Sequence, residues 1–358
     1  MTELMARCSL TIELTSFCNQ RCGHCYNAFN HARVQALPTE QLLKLLGRLF
    51  SEVDLARVDL SGGEPFASEG LFPVLELCAE RGVRANLVSN ATLVSTDDAR
   101  RLARYEPGAV QVTLNGPSAE SHDAAVGMPG AWNRALRGIE RLQQHGVLVV
   151  GCIVLTHASC RSVGETLERW RGLGISTVAL MRLMSGGVSA HNLGLLPTRG
   201  EFLDALRQAV DPCFSDMTLR VGGPVPPCVM DHGEFPTLQF GWCPIGTPSQ
   251  DFALGTDGLL RLCPFFEQGF GDVRVRSMAD LTAAAAVRTY RRRAPEFCRD
   301  CIALPRCLGG CGAAALAVTG DPNALDPFVL QHTDPDLAWR IRTARADLSA
   351  HGPRQGRD

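Results

Sequence analysis

Residues 9–25 read SLTIELTSFCNQRCGHC, and they decide the fold. The apolar run Ser9–Thr15 suits a buried parallel strand, and it feeds directly into Cys18-x3-Cys22-x2-Cys25. Three thiolates in one loop, with no fourth cysteine nearby, can hold three corners of a cubane iron–sulfur cluster and leave one iron without a protein ligand. An open iron is a place for chemistry. The same cysteines joined by His24 or His31 would instead make a zinc site. The loop follows a strand at the C-terminal edge of the sheet, where barrel active sites assemble, which favours the cluster.

Working outward, five more apolar runs suit parallel strands: Arg57–Ser61, Ala85–Ser89, Ala109–Leu114, Val147–Leu155 and Thr177–Arg182. Between them lie helical spacings, at Leu42, Leu43, Leu46 and Phe50, at Val74, Leu75 and Cys78, and at Leu136, Ile139 and Leu142. Ser68 and Pro129-Gly130 mark entries to the second and third. Repeated β-α units imply an α/β protein with a parallel sheet, open or curled into a barrel.

After Asp211 the texture changes. Val221–Pro227 carries two glycines and three prolines and reads as a linker. Beyond it the chain is cysteine-rich, with a hairpin expected at Thr256-Asp257-Gly258 leading into Leu259–Cys263. The expected organisation is a barrel-sized domain over 1–215, a linker over 216–240, a metal-organised domain over 241–335 and a polar tail over 336–358. Fifteen cysteines in 358 residues is an odd count, and the first residues carry no export signal. Such usage argues for reduced thiolates serving as metal ligands rather than a disulfide framework.

The Cys-x3-Cys-x2-Cys loop resembles the signature of the radical S-adenosylmethionine (SAM) superfamily. That resemblance implies a partial (β/α)6 TIM-like barrel and a [4Fe-4S] cluster whose open iron chelates SAM. Reductive cleavage of SAM would then give a 5′-deoxyadenosyl radical that abstracts hydrogen. Ser61-Gly62-Gly63-Glu64-Pro65 follows the second strand and resembles the family's GGEP element. The glycines are expected to let backbone approach the cofactor, and the acid to meet its methionine ammonium. Ser89-Asn90 and Thr113-Leu114-Asn115-Gly116 resemble further strand-end elements near SAM, and His24 and Tyr26 are also candidate cofactor contacts. Each could equally be a plain turn. The family's arginine after His122-Asp123 is replaced by Val126, so Arg182 is the candidate for the SAM carboxylate.

Cys243-x14-Gly258-x4-Cys263 and Cys298-x2-Cys301-x5-Cys307-x3-Cys311 resemble the SPASM domain, an auxiliary-cluster module of radical SAM enzymes. Zinc ribbons are the plain alternative for these spacings. The resemblance implies one or two auxiliary [4Fe-4S] clusters, one on Cys243, Cys263 and Cys311, the other on Cys298, Cys301 and Cys307. A seventh cysteine is expected after Asp326-Pro327-Phe328, and Val329 stands there. Asp326, Asp321 or His332 could substitute, or the iron be open, or the cluster be absent. Cys228 is a candidate fourth ligand of the first auxiliary cluster, and a buried bystander otherwise. Most of Cys8, Cys78, Cys152, Cys160 and Cys213 are expected in the core. Cys160, just past the fifth strand, is a candidate hydrogen-atom donor.

A net charge of −2 offers no basic field for nucleic acid or an anionic membrane, and no apolar run is long enough to span a bilayer. A cytoplasmic enzyme is expected. The resemblance implies hydrogen abstraction from a ribosomally synthesised precursor peptide during natural-product maturation. The alternatives are radical dehydrogenation, epimerisation or decarboxylation of a sugar, aminoglycoside or nucleoside, and a non-catalytic iron–sulfur electron carrier. About seven residues precede the first strand, so leader-peptide binding is expected of a separate protein. A flavodoxin- or ferredoxin-type donor is expected to supply the electron.

Overall fold

The structure is a computed structural model that describes residues 7–27, 36–282 and 285–338. His31 and the tail beyond residue 338 lie outside the described residues. All six expected strands form: β1 Arg7–Glu13, β2 Asp54–Ser61, β3 Ala85–Ser89, β4 Val110–Thr113, β5 Val149–Leu155 and β6 Thr177–Arg182. Each pairs in parallel with the next, joined by helices α1 Thr39–Glu52, α2 Leu71–Glu80, α3 Thr96–Ala103, α4 Ala119–Val126, α5 Ala131–Gln144 and α6 Val163–Gly172. This is the expected partial barrel.

Period-two alternation sorts the strand residues. Leu10, Ile12, Val58, Leu60, Val110 and Val112 are fully buried in the hydrophobic core. Their neighbours Thr11, Asp59, Ser61, Gln111 and Thr113 line a large open cavity inside the curled sheet. Polar side chains set among apolar ones on the inner face are how this sequence makes room for a site. Helix entries are set locally. Ser95 and Thr198 form capping boxes with Asp98 and Glu201, and Asp123 accepts the Trp132 amide at 2.8 Å to cap α5.

The sheet is larger than six strands. The stretch read as a linker supplies β7 Thr218–Gly222 and β8 Gln239–Phe240, both parallel, beyond helices α7 Gly187–Ala190 and α8 Arg199–Ala209. Leu219 and Val221 are buried while Thr218 and Arg220 are exposed, a strand pattern too short to stand out beside the following glycines and prolines. On the other side β9 Asp251–Leu254 pairs in parallel with β1, and the expected hairpin turns it into β10 Leu259–Arg261. With β11 Gly271–Asp272 the order becomes β11-β10-β9-β1-β2-β3-β4-β5-β6-β7-β8. The cysteine-rich part thus continues the barrel sheet. It ends in helices α9 Met278–Thr282, α10 Ala285–Arg291, α11 Leu304–Cys307, α12 Gly312–Thr319 and α13 Pro327–His332.

Candidate active site

The cysteine loop leaves β1 and is fixed by the element after β2. The Gly63 amide donates to Thr15 O at 2.7 Å and the Glu64 amide to Phe17 O at 2.8 Å. A Cβ at Gly63 would fall 2.0 Å from Phe17 O, and Gly62 has φ +120° with a Cβ position 2.5 Å from Thr15 O. The glycines are therefore needed to let this strand end approach the cysteine loop itself. Further along, the Arg21 amide donates to Val126 O at 3.0 Å, tying the loop to the end of α4. Cys18, Cys22 and Cys25 all line the cavity, and their charges act on one another. Burial pushes the Cys18 thiol up to about 11 and the Cys22 thiol higher still.

Glu64 differs from its expected place. It is fully buried, does not line the cavity, and accepts from Ser89 Oγ at 2.7 Å, the Phe66 amide at 3.1 Å and the Asn90 amide at 2.8 Å. Burial raises its pKa to about 6 against those hydrogen bonds. Glu64 is a brace that aims Ser89 and Asn90, which do line the cavity, as do Gly62 and Gly63. Asn90 Nδ2 in turn reaches Asn19 Oδ1 at 2.9 Å and Cys18 Sγ at 3.8 Å. Pro65 opens a short 3-10 turn and is buried behind them.

Across the cavity, Asn115 Nδ2 and His24 Nε2 are 3.1 Å apart, and Asn115 Oδ1 accepts the Val154 amide at 3.0 Å. Burial and the facing His122 lower the His24 pKa to about 4, so its ring is neutral at neutral pH. His24 thus pairs with an amide. Thr113 lines the wall beside Cys152, to which it hydrogen-bonds, and Tyr26 stands edge-on to Phe265 with ring centroids 5.0 Å apart.

Arg182 also lines the cavity, and Asp326 Oδ2 accepts from its Nη2 at 2.6 Å. Its Nε and Nη1 are buried with no hydrogen-bond partner among the described residues. Two unspent donors at a cavity wall fit an anionic group. On the opposite side Glu13 receives Arg261 Nη1 at 2.8 Å on both oxygens and Asn27 Nδ2 at 2.9 Å. These two buried ion pairs join the barrel to the cysteine-rich part.

Cys243, Cys263 and Cys311 line the same cavity and act electrostatically on one another around Tyr290. The Tyr290 hydroxyl lies 3.4 Å from Cys243 Sγ and accepts the Gly312 amide at 3.2 Å. Nothing in the spacing marked Tyr290. Cys298, Cys301 and Cys307 line a second, separate cavity, and Cys228 lines that one rather than joining Cys243, Cys263 and Cys311. All fifteen cysteines are unbridged. Among the described residues no three His, Cys, Asp or Glu side chains converge tightly enough to hold a single metal ion.

Other expectations need correction. Cys160 is buried in the hydrophobic core at the turn after β5, outside the cavity, where it cannot pass hydrogen to a substrate. Cys152 is buried as expected, and strand alternation also brings it to the cavity wall. Cys213 is exposed on a short turn, while Cys8 and Cys78 are buried as expected. Asp326 has its oxygens committed to Arg182, to the Cys311 amide at 2.7 Å and to the Phe328 amide at 3.0 Å. His332 stacks on Phe328 at 4.0 Å, with its Nδ1 2.7 Å from Phe328 O. Neither lines either cysteine cavity.

The model of the radical SAM superfamily matches residues 12–181, the span holding the cysteine loop and Gly62–Pro65. Residues 12–181 are therefore a radical SAM domain. This radical SAM enzyme is similar to the PqqA peptide cyclase of Methylocella silvestris, 25% identical over 338 residues that cover 91% of this chain and 88% of that protein. Two solved structures share the radical SAM fold at 16% identity and TM-score 0.70. Streptococcus suis SuiB bound to precursor peptide SuiA covers 89% of this chain and 74% of its own. Native anSMEcpe with bound AdoMet and Cp18Cys peptide covers 96% and 97%. A [4Fe-4S] cluster and SAM are the cofactors that the superfamily implies. Among the described residues no helix is long and apolar enough to cross a membrane.

Proposed function

We propose that this radical SAM enzyme abstracts hydrogen from a ribosomally synthesised precursor peptide and oxidises it. The observation that carries the reading is that Cys18, Cys22 and Cys25 share one open cavity with Cys243, Cys263 and Cys311. Removing a hydrogen atom leaves a substrate radical one electron in excess of the oxidised product. A net oxidation therefore needs an electron acceptor beside the same cavity. Cys243, Cys263 and Cys311 would hold it as an auxiliary [4Fe-4S] cluster, and Cys298, Cys301 and Cys307 would hold a second one farther from the substrate.

In this reading Cys18, Cys22 and Cys25 hold the cluster with the open iron. When bound, that cluster and SAM supply the carbon-centred radical that takes the hydrogen. The chain's own residues do the positioning. Gly62 and Gly63 seat the loop, Glu64 aims Ser89 and Asn90, and Asn115 orients a neutral His24. The unspent Nε and Nη1 donors of Arg182, buried just behind the wall, would turn to a carboxylate held in the cavity, and Tyr26 and Thr113 complete that wall. The likeness to a peptide cyclase along 91% of the chain supports a peptide over a small molecule. A flavodoxin- or ferredoxin-type donor would supply the electron.

The test incubates the anaerobically reconstituted enzyme with SAM, strong reductant and the short peptides encoded beside its gene. The expected result is 5′-deoxyadenosine formation coupled to a peptide that has lost hydrogen by mass spectrometry. Unchanged peptides, with a sugar or nucleoside converted instead, would overturn the peptide reading.

A further inference from the structure

The cavity of the second auxiliary site is lined by Cys298, Cys301, Cys307, Val329 and Cys228. Cys228 arrives from a different part of the chain. After β7 the backbone runs through Pro224, Pro226 and Pro227, whose fixed φ angles stiffen the approach. The Val229 amide donates to Pro226 O at 2.9 Å, and Cys228 O accepts the Asp334 amide at 2.8 Å. These bonds pin the cysteine against the segment that follows α13. Its thiol is raised by burial, then by the charges of Cys307, Cys298 and Cys301, which places all four in one electrostatic neighbourhood.

Val329 occupies the position where the motif expects a thiolate, and it is a fully buried wall of this same cavity. The oxygen and nitrogen candidates do not reach it. Asp326 is committed to Arg182 and two amides, His332 turns Nδ1 to Phe328 O and stacks its ring on Phe328 outside this cavity, and Asp321 is exposed with its Oδ1 accepting the Asn323 amide at 2.8 Å.

We propose that Cys228 is the fourth thiolate of the second auxiliary site, replacing the cysteine that is absent at Val329. The proposal rests on the reading of that site as an iron–sulfur centre. It makes the ligand set all cysteine, with no iron open to substrate, so the site passes electrons and binds nothing else. Four thiolates also avoid the higher potential that a nitrogen ligand would bring. The segment read as a linker then ties β7 to the cysteine-rich part through the metal centre.

Iron and acid-labile sulfide per chain, counted after anaerobic reconstitution of the full chain, test it. Cys228→Ala is expected to lose iron to the same extent as Cys298→Ala, about four atoms where the whole cluster is lost. Moving the thiol back, in the double variant Cys228→Ala/Val329→Cys, is expected to restore the wild-type count. Wild-type iron in Cys228→Ala beside a loss in Cys298→Ala overturns the assignment of Cys228 alone. Wild-type iron in both variants overturns the iron–sulfur reading of the site as well. Loss in Cys228→Ala without recovery in the double variant marks a folding defect and also rejects the assignment.

Discussion

Arg182 at the end of β6 and Asp326 before α13 meet at 2.6 Å, 144 residues apart in the chain, with both side chains fully out of solvent. The Arg182 guanidinium also stands 4.5 Å over the Phe328 ring. Removing one member of a buried pair strands the other charge, which costs about 3–5 kcal/mol. Asp326→Ala is therefore expected to destabilise the chain by about that amount in anaerobic chemical denaturation. Replacing both residues with apolar ones should recover much of the loss. A double variant no more stable than Asp326→Ala would contradict the pairing account.

Gly63→Ala tests the fit between the glycine element and the cysteine loop. The new Cβ would lie 2.0 Å from Phe17 O, so the loop must move by an ångström or so. SAM cleavage is expected to fall about 100-fold, with the iron of the two auxiliary sites retained. Undiminished 5′-deoxyadenosine production would show that the contact is not needed.

The two ends of the chain should separate chemically. Cys18→Ala is expected to abolish both 5′-deoxyadenosine and peptide product. Cys298→Ala or Cys301→Ala should spare much of the SAM cleavage while removing the product. Intact peptide turnover in both auxiliary variants would remove the auxiliary sites from the mechanism.

Asp251 on β9 supplies a pH signature. Burial raises its carboxyl from 3.8 to about 7, with Asp59 adding to the rise and Arg57 and Thr11 opposing it. The folded state therefore binds more protons than the unfolded state between those values, and stability falls as pH rises through that window. Asp251→Asn removes this loss. Its gain in melting temperature over the wild type should grow from about pH 4 to about pH 7 and then level off. A gain independent of pH would place the strain elsewhere.

The legible part of the fold was what apolar runs specify. β5, VVGCIVL, has five of its seven residues buried and could hardly be read otherwise. β7, β8 and β11 were hidden because two to five residues beside glycine and proline carry too little pattern. The cysteine sets were legible because ligand spacing is local. The place of Cys228 was not, since only the folded chain brings it to cysteines some seventy residues away. Glu64 stood out by its motif, yet its role as a brace depends on Ser89 and Asn90 arriving from β3. Cys160 could be read either way, as core or as facing the site, because a turn, unlike a strand, has no alternation to say which way its side chain faces.

The central claim is that Cys18, Cys22 and Cys25 leave one iron open and that SAM docks there. It is tested most directly by electron paramagnetic resonance of the reduced protein, in a variant whose auxiliary cysteines are replaced so that one cluster remains. Titration with SAM should change that cluster's spectrum and saturate with one SAM bound per cluster. A spectrum unmoved by SAM would contradict the account.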